Sequence, residues 1–397
     1  MNSTYSITTI VLLALTVAAP ASAVSGSISE TIDLVEIEKQ RILSKATTYL
    51  EEAPLTIVAY RAERSAGGLH DFYSEGDYWW PDTDNPEGAY VRRDGLSNPD
   101  NFIAHRHAML RLSEIVGTLT SAWMITQDQS YASHALKHLR AWFVDESTRM
   151  NPSLLYAQAI KGRVTGRSIG IIDTIHLAEV ARSAEVLGRQ GALPAEEFER
   201  IKSWFSEYLN WLTTHPYGER ERVHPNNHGV WWSVQAAAFS SLVGREDILE
   251  WTRNQFKTVY LKEMMAADGS FPEELRRTKP FGYSLFVLDG VASLAQIAST
   301  ETDDLWAFEL PDGRSLKKGM AFLYPYIENK SAWPYEKDVL YWDEWPVRHP
   351  SLLFASLAYS RSDYLRLWER LEADPTTPEV VRNLPIRYPL LWVDVLR

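Results

Sequence analysis

The chain has 397 residues, of which 45% are hydrophobic, and it carries a formal net charge of −12. This acidity argues against general binding to nucleic acids or membrane surfaces, although a local basic cleft could still take a polyanion. The sequence contains no cysteine, which excludes a disulfide framework, thiol chemistry and cysteine-based metal sites. Stability must therefore come from a large core, which a chain of this length can supply.

The N-terminus has the pattern of an export signal. A mostly apolar run at 7–19 is followed by Ala21-Ser22-Ala23, a small-x-small cleavage site. The run is shorter than the about 20 apolar residues of a membrane-spanning helix, but no Lys or Arg precedes it, so a non-cleaved anchor is the second interpretation. We expect a signal peptide at 1–23 cleaved after Ala23, one mature domain at 24–397, and a periplasmic or secreted protein. No later segment looks long and apolar enough to span a membrane.

Helical periodicity dominates after about residue 100. Apolar residues recur there at steps of three, four or seven, as in the stripe Phe102, Met109, Leu112, Val116, Leu119 and Trp123. The same pattern continues through the stretches 198–212, 231–243, 247–266, 283–298, 314–328 and 350–372. Clean alternating strands are scarce. About ten to twelve helices with short linkers predict a single all-α domain whose helix pairs are arranged around an axis.

Two loop-rich regions interrupt the helices, one from Gly67 to Asn101 and one from Asn329 to Pro350. Long loops rich in Trp, Arg and Asp on a helical scaffold are where function usually lies. The first loop either folds onto the core through its tryptophans or forms a subsite wall, where Trp stacks on a sugar and Arg binds carboxylates. The aromatic and cationic candidates in and beyond these loops are Trp79, Trp80, Arg92, Arg93, Arg163, Arg167 and Trp345.

The run from His224 through Pro225 to His228 contains two asparagines and precedes a predicted helix near Val230. In one interpretation an asparagine caps this helix and His228 is an interior histidine with its hydrogen bonds satisfied. In the other, Asn227 and His228 bind a carboxylate. His224 and His228 have zincin spacing, but Pro225 and the paired asparagines disfavour a helix there and no Glu follows His224. We therefore expect no metal.

A basic cluster of Arg276, Arg277 and Lys279 precedes Tyr283. It is either a solvated turn before a buried helix or a site where cations stabilise a phenolate, as a tyrosine base requires. An amide, an imidazole, a guanidinium and a phenol can together hold a carboxylate, remove the proton next to it and protonate a leaving oxygen. Such chemistry needs no cofactor.

These motifs resemble the alginate lyase family of α/α-toroid polysaccharide lyases. The resemblance rests on the Asn-Asn-His run, the downstream Arg-(six residues)-Tyr spacing and the Trp-Trp-Pro-Asp loop, and it covers roughly residues 70–350. It implies an (α/α) toroid at 24–397 with Asn227, His228, Arg276 and Tyr283 as catalytic residues. The Gly-Val-Trp-Trp sequence after His228 departs from the family's usual sequence, which bears on the uronate preference.

The reaction implied is β-elimination in a 1,4-linked polyuronate, without a cofactor. Asn227, His228 and Arg276 would neutralise the uronate carboxylate, and Tyr283 would move the proton; His228 as base with Tyr283 as acid is the alternative. We expect alginate (poly-β-D-mannuronate) as substrate, with glucuronan second. The alternatives from other classes are a non-catalytic polyuronate-binding protein and a toroidal glycoside hydrolase using Glu274 or Glu344.

The expected partner is an acidic polysaccharide, and neither a nucleic acid nor a second subunit is expected. The residues expected to bind this substrate are Trp79, Trp80, Arg92, Arg93, Arg163, Arg167, Arg277 and Trp345.

Overall fold

The computed structural model describes Met1 and residues 33–393. The predicted signal peptide and its cleavage point after Ala23 fall outside the described residues, apart from Met1. From Leu34 to Val393 the chain forms one compact unit. Its α-helices are α1 Leu34–Tyr49, α2 Ala104–Thr126, α3 Gln129–Phe143, α4 Leu177–Arg189, α5 Ala195–Thr214, α6 Pro216–Arg222, α7 Asn227–Val243, α8 Glu246–Gln255, α9 Pro272–Leu275, α10 Pro280–Ala298, α11 Leu316–Glu328, α12 Pro350–Ala358, α13 Ser362–Arg370 and α14 Pro378–Arg382.

The strands within the described residues are short, and they belong to two small two-stranded sheets. They are β1 Tyr73–Glu75, β2 Trp79–Trp80, β3 Val91–Arg92 and β4 Tyr156–Ala159. Strand β1 pairs in parallel with β4, whereas β2 pairs antiparallel with β3, which sets Trp79 opposite Arg92. The predicted all-α class is therefore confirmed, and the short strands of the described residues lie in the loop at 67–101 and at β4.

The helical stripes lie largely where the sequence predicts them. The stripe from Met109 to Trp123 is buried on α2, whereas Phe102 precedes the helix, which begins at Ala104. The stretch predicted at 350–372 is two helices, α12 and α13, separated by a turn in which Ser360 has a positive φ of 53°. The stretch at 247–266 is α8 followed by a π-helix at Phe256–Met264.

Helices α7 and α10 form the centre of the unit and are buried almost all round, which is typical of core helices. They approach closely at Gly290, where an added Cβ would come 2.8 Å from Cγ1 of Val230. The Trp231 indole donates to the carbonyl of Phe286 at 3.1 Å. These contacts join the beginning of α7 to the second and third turns of α10, so the N-terminal end of α7 lies beside the first half of α10.

Among the described residues, α10 is long and apolar enough to cross a membrane, judged by length and composition alone. The expectation that no such segment follows the N-terminus is therefore wrong for this helix. However, 89% of its apolar stretch is buried inside the protein. This burial is typical of the core helix of a folded domain.

Candidate active site

A cleft of about 340 Å³ opens at the N-terminal ends of α7 and α10. The loop at 67–101, the segment after β4 and the helix α14 complete its walls. Of the residues predicted from the sequence, it brings together Trp79, Arg92, Arg167, Asn227, His228, Arg277 and Tyr283. Predicted residues outside its lining are Trp80, Arg93, Arg163, Arg276 and Trp345.

The two asparagines before α7 have different tasks. Asn226 is the N-cap, and its side-chain oxygen accepts a hydrogen bond from the His228 amide at 3.1 Å. Asn227 is the first helical residue, and Glu274 accepts hydrogen bonds from both its amide N–H (2.6 Å) and its Nδ2 (2.8 Å). The capping interpretation therefore applies to Asn226, while the amide of Asn227 is held in the cleft wall by a carboxylate behind it.

Glu274 belongs to α9 and is fully buried. Burial raises the pKa of its carboxyl group, although the two hydrogen bonds from Asn227 favour the charged form. The neutral amide of Asn227 thus separates this buried carboxyl group from the space where a substrate carboxylate would bind.

His228 is fixed from behind in the same way. Its Nδ1 lies 2.6 Å from Oε1 of Glu221, which belongs to α6 and is 1% exposed. The ring of His224 packs at 5.0 Å from the ring of His228, and burial, followed by the proximity of His228, lowers the pKa of His224. In the described part of the chain, no group of three His, Asp or Glu side chains is arranged to hold a metal ion.

The arginine beside the tyrosine is Arg277, which corrects the prediction of Arg276. The Arg276 side chain is 66% exposed and pairs with Glu273 on the surface. Arg277 instead lines the cleft, donates to the Tyr283 hydroxyl at 3.0 Å and pairs with Asp94 at 3.3 Å. Consecutive side chains in the turn after α9 project in different directions. The sequence spacing therefore indicated Arg276, whereas its neighbour Arg277 reaches the cleft.

Tyr283 lies in a chain of buried polar groups. Its hydroxyl is 2.9 Å from that of Tyr78, which accepts a hydrogen bond from Lys279 at 3.0 Å. Lys279 in turn forms a buried ion pair with Glu379 of α14. The phenol of Tyr283 is therefore oriented by groups from the loop, from its own helix and from the C-terminal segment.

Burial raises the pKa of Tyr283 well above 10, and the neighbouring Tyr78 adds to the effect. Lys279 and Arg277 act in the opposite direction without offsetting burial. The surrounding cations do favour the phenolate, as predicted, but burial outweighs them in this site without substrate. Tyr283 is a neutral phenol at physiological pH, which suits a proton donor.

A wall of stacked aromatic and cationic groups borders the cleft. The guanidiniums of Arg163 and Arg167 lie 5.2 and 5.8 Å from the ring centre of Trp79. Arg167 donates to the side-chain oxygen of Gln158 at 2.9 Å, and burial lowers its pKa to about 10, which leaves it cationic at neutral pH. Arg92 also lines the cleft and pairs with Asp94. Aromatic and cationic side chains therefore line the cleft around Trp79, and their binding to a sugar chain stays a prediction.

Three of the predicted binding residues, Trp80, Arg93 and Arg163, do not line the cleft, although Arg163 stacks on Trp79. Arg93 stacks over Trp80 at 5.3 Å, and the Trp80 indole donates to the carbonyl of Leu96 at 2.9 Å. The side chain of Arg163 donates to the carbonyl of Tyr90 at 2.7 Å. These contacts hold the loop, so the prediction that Trp80, Arg93 and Arg163 contact substrate is replaced by a supporting role.

Trp345 is also corrected, because it is a core residue. It is 5% exposed, and its ring stacks on that of His349 at a centroid distance of 5.6 Å. Burial on this scale leaves no face for a sugar.

The sequence reasoning missed several lining residues, among them Tyr78, Arg382 and Asn383. Tyr78 directly precedes Trp79 and could have been found from its place in the aromatic loop. Arg382, which donates to Asp77 at 2.7 Å, comes from α14 and is separated from the loop by about 300 residues of sequence. No local pattern indicates that α14 reaches the cleft.

Comparison with known proteins agrees with this geometry. The family model of alginate lyase matches residues 56–333. The chain is 30% identical to an alginate lyase from Bacteroides ovatus, with a TM-score of 0.77 over 88% of this chain and 93% of that one. Alginate lyase A1-III from Sphingomonas species A1 has the same fold, with 16% identity and a TM-score of 0.54 over 89% of this chain and 94% of that one. No curated protein sequence matches the chain.

A variant of alginate lyase A1-III complexed with a tetrasaccharide also has this fold, with 16% identity and a TM-score of 0.58 over 89% of this chain and 94% of that one. The predicted (α/α) toroid is therefore confirmed, and the chain is a polysaccharide lyase. The chain belongs to the alginate lyase family.

Proposed function

We propose that this polysaccharide lyase cleaves the 1,4 bonds of alginate by β-elimination, with poly-β-D-mannuronate as its leading substrate. The observation that carries the proposal is the placement of Arg277 against the neutral phenol of Tyr283 in the cleft that also holds Asn227 and His228. Membership of the alginate lyase family supports the choice of polymer. The products are oligouronates with a C4–C5 double bond at the new non-reducing end.

The first task is to neutralise the uronate carboxylate, because H5 is only weakly acidic while that group keeps its full charge. Arg277 supplies a cation, and Asn227 supplies the one Nδ2 hydrogen that is not bonded to Glu274. Preorganised donors of this kind stabilise the charge that develops on the carboxylate as the enolate-like intermediate forms. Their own partners, Asp94 for Arg277 and Glu274 for Asn227, keep them in place when the cleft is empty.

The second task is proton transfer. Lys279 donates to the Tyr78 oxygen, and the hydroxyl groups of Tyr78 and Tyr283 lie 2.9 Å apart, where either can donate to the other. The Tyr283 oxygen accepts from Arg277 at 3.0 Å, and its hydroxyl group, which lines the cleft, carries the proton that a leaving oxygen would take. This arrangement favours Tyr283 as the acid that protonates the departing O4 and His228 as the base that takes H5. A single tyrosine acting at both atoms is the alternative, since H5 and O4 lie on one side of a mannuronate ring.

Binding of the neighbouring sugars is assigned to the cationic wall. Trp79 offers an aromatic face, and Arg92 and Arg167 line the cleft beside it. Each uronate of the chain carries a carboxylate, and arginine is suited to bind carboxylates through paired hydrogen bonds. We assign this wall to the uronates that flank the cleaved bond.

Glucuronan is the second candidate substrate. Its sugar differs from mannuronate only at C2, whereas the groups described act on the carboxylate, H5 and O4. A glycoside hydrolase is disfavoured because the candidate carboxylates do not face each other across the cleft: Glu274 is fully buried behind Asn227, and Glu344 is exposed and bonded to Thr377.

The decisive experiment is a side-by-side assay on poly-mannuronate, poly-guluronate and glucuronan that follows the ultraviolet absorbance of the C4–C5 double bond. We expect the largest signal on poly-mannuronate. Absence of the signal on all three polymers would end the lyase proposal, while a larger signal on glucuronan would reassign the substrate.

We also propose that the protein is exported as a monomer after cleavage behind Ala23, on the basis of the apolar run and the small-x-small pattern. Intact mass and N-terminal sequencing of the protein isolated from the periplasm or medium test this. A retained N-terminus would favour the anchor interpretation.

A further inference from the structure

Glu221 is a buried carboxylate that lies directly behind the cleft. Its Oε1 is 2.6 Å from Nδ1 of His228, and the side chain is 1% exposed. Its second oxygen, Oε2, is buried with no hydrogen-bond partner in the described part of the chain. Removing a carboxylate from water is costly unless partners compensate. The one side-chain hydrogen bond that Glu221 accepts among the described residues comes from His228, which points to a role in setting the state of that imidazole.

The direction of this hydrogen bond follows from the chemistry of the two groups. A carboxylate only accepts, so the hydrogen of the short contact belongs to Nδ1 of His228. A neutral imidazole carries one N–H, and Nε2 is then left with a lone pair. Because His228 lines the cleft while Nδ1 is engaged by Glu221, Nε2 is the nitrogen available to a ligand.

We propose that Glu221 is the positioning residue of His228, which fixes the tautomer whose Nε2 receives the C5 proton of the uronate. The inference rests on the proposed β-elimination. In the step itself the C5–H bond breaks, its proton goes to Nε2, and its electron pair passes into the enolate-like system of the carboxylate. The C4–C5 double bond then forms as the C4–O4 bond breaks, and O4 takes the proton of Tyr283.

The carboxylate contributes a second effect at this step. Once Nε2 is protonated, the ring of His228 is a cation, and Glu221 faces it at hydrogen-bond distance. The same division of labour is found where an acidic residue orients an imidazole base and stabilises the imidazolium that forms. Glu221 does not touch substrate, so removing it is expected to change turnover far more than binding.

The tautomer can be read without any substrate. We suggest histidine labelled with ¹⁵N, long-range ¹H–¹⁵N correlation spectra at a pH where the ring is neutral, and assignment of the signals by His228→Gln. The wild-type spectrum is expected to show His228 protonated at Nδ1, and Glu221→Leu should shift it toward protonation at Nε2. An Nε2-protonated ring in the wild type, or no change in Glu221→Leu, would overturn the inference whatever the fate of the proposed reaction.

Kinetics on poly-mannuronate supply the second arm. For Glu221→Leu we expect kcat to fall about 100-fold, with KM within about twofold, because a general base loses its orientation and its counter-charge. Glu221→Gln keeps an acceptor oxygen for Nδ1–H and should lose only about 10-fold in kcat. An unchanged kcat in Glu221→Leu contradicts the assignment.

The matched control is Glu185→Gln, because Glu185 is equally buried, pairs with Arg182 and Arg189, and does not line the cleft. Glu185→Gln should leave kcat near the wild-type value. A loss of kcat equal to that of Glu221→Gln would show that the effect comes from removing any buried charge. If the wild type itself releases no unsaturated product, the proposed function fails, and the spectra still decide the role of Glu221.

Discussion

Arg277 donates to the hydroxyl of Tyr283 at 3.0 Å, and its guanidinium lies 4.2 Å from the centre of the same ring. One cation therefore holds the phenol by its oxygen and by its face. A carboxylate that binds Arg277 is thereby brought next to the hydroxyl that serves as the proton donor. This contact joins the two tasks of the proposed reaction, charge neutralisation and protonation of the leaving oxygen.

Arg277→Ala is expected to lower kcat/KM by about 100- to 1000-fold, the usual effect of removing one preorganised donor from a developing oxyanion. The matched control is Arg276→Ala, since the neighbouring side chain is 66% exposed and pairs with Glu273 outside the cleft. It should change kcat/KM by less than about twofold, because an exposed ion pair contributes little. Steady-state kinetics on poly-mannuronate check both; a larger loss in Arg276→Ala would restore the assignment made from sequence spacing.

Tyr283→Phe removes the proton donor and leaves the ring in place. We expect turnover to fall by about 1000-fold or more, while the dissociation constant for a mannuronate oligosaccharide changes by less than about threefold. Calorimetric binding and the double-bond assay measure the two quantities separately. Turnover near the wild-type rate would show that another group is the acid. The nearest other hydroxyl is that of Tyr78.

The sequence predicted the helical class and the aromatic loop, and three of its four catalytic candidates line the cleft, because these depend on local periodicity and short motifs. It selected Arg276 over Arg277 because the turn after α9, rather than sequence spacing, decides which side chain reaches the cleft. The sequence did not indicate that Glu221 bonds to His228 or that Glu274 bonds to Asn227. Both contacts arise only from the packing of α6 and α9 against α7. The contributions of Arg382 and Asn383 depend on contacts across most of the chain, which no local pattern encodes.

Trp79 and Trp345 were both predicted to bind substrate, but the structure places Trp79 in the cleft wall and Trp345 in the core. Trp345→Ala should lower the free energy of unfolding by about 3–5 kcal/mol, as expected for a buried aromatic residue. Trp79→Ala should instead raise KM about 10-fold, because it removes the ring on which Arg163 and Arg167 stack beside the cleft. Urea denaturation and kinetics on poly-mannuronate should therefore respond to different variants. A raised KM with unchanged stability in Trp345→Ala would return that residue to the substrate site.

Glu274→Gln tests how Asn227 is held. A glutamine oxygen can accept only one of the two hydrogen bonds that Glu274 now accepts, and its NH₂ group faces the second donor. We expect a loss of about 2 kcal/mol in unfolding free energy, from a buried donor left unsatisfied, together with a fall of about 10-fold in kcat/KM. Glu273→Gln is the neighbouring control on the surface, with a change below about 0.5 kcal/mol. Equal effects in the two variants would show that Glu274 does not hold Asn227 in place.

His138 does not line the cleft, and its protonation is expected to destabilise the fold at acidic pH. Its Nε2 lies 3.2 Å from the carbonyl of Glu52, and burial, followed by the neighbouring His134, lowers its pKa from 6.5 to about 4. Between these two pH values His138 is protonated in the unfolded chain but stays neutral in the folded protein. Stability is therefore lost as the pH falls from about 6.5 toward about 4, by about 3 kcal/mol in order of magnitude, and is unaffected by this residue above that window.

His138→Gln keeps a hydrogen-bond donor for the Glu52 carbonyl but does not titrate. At about pH 7.5 the variant should be less stable than the wild type by about 1 kcal/mol, through imperfect packing, whereas near pH 4.5 the order should reverse because only the wild type carries the protonation penalty. Urea denaturation of both proteins at the two pH values measures the difference. Parallel stability curves for wild type and variant across this range would show that His138 is not the group responsible.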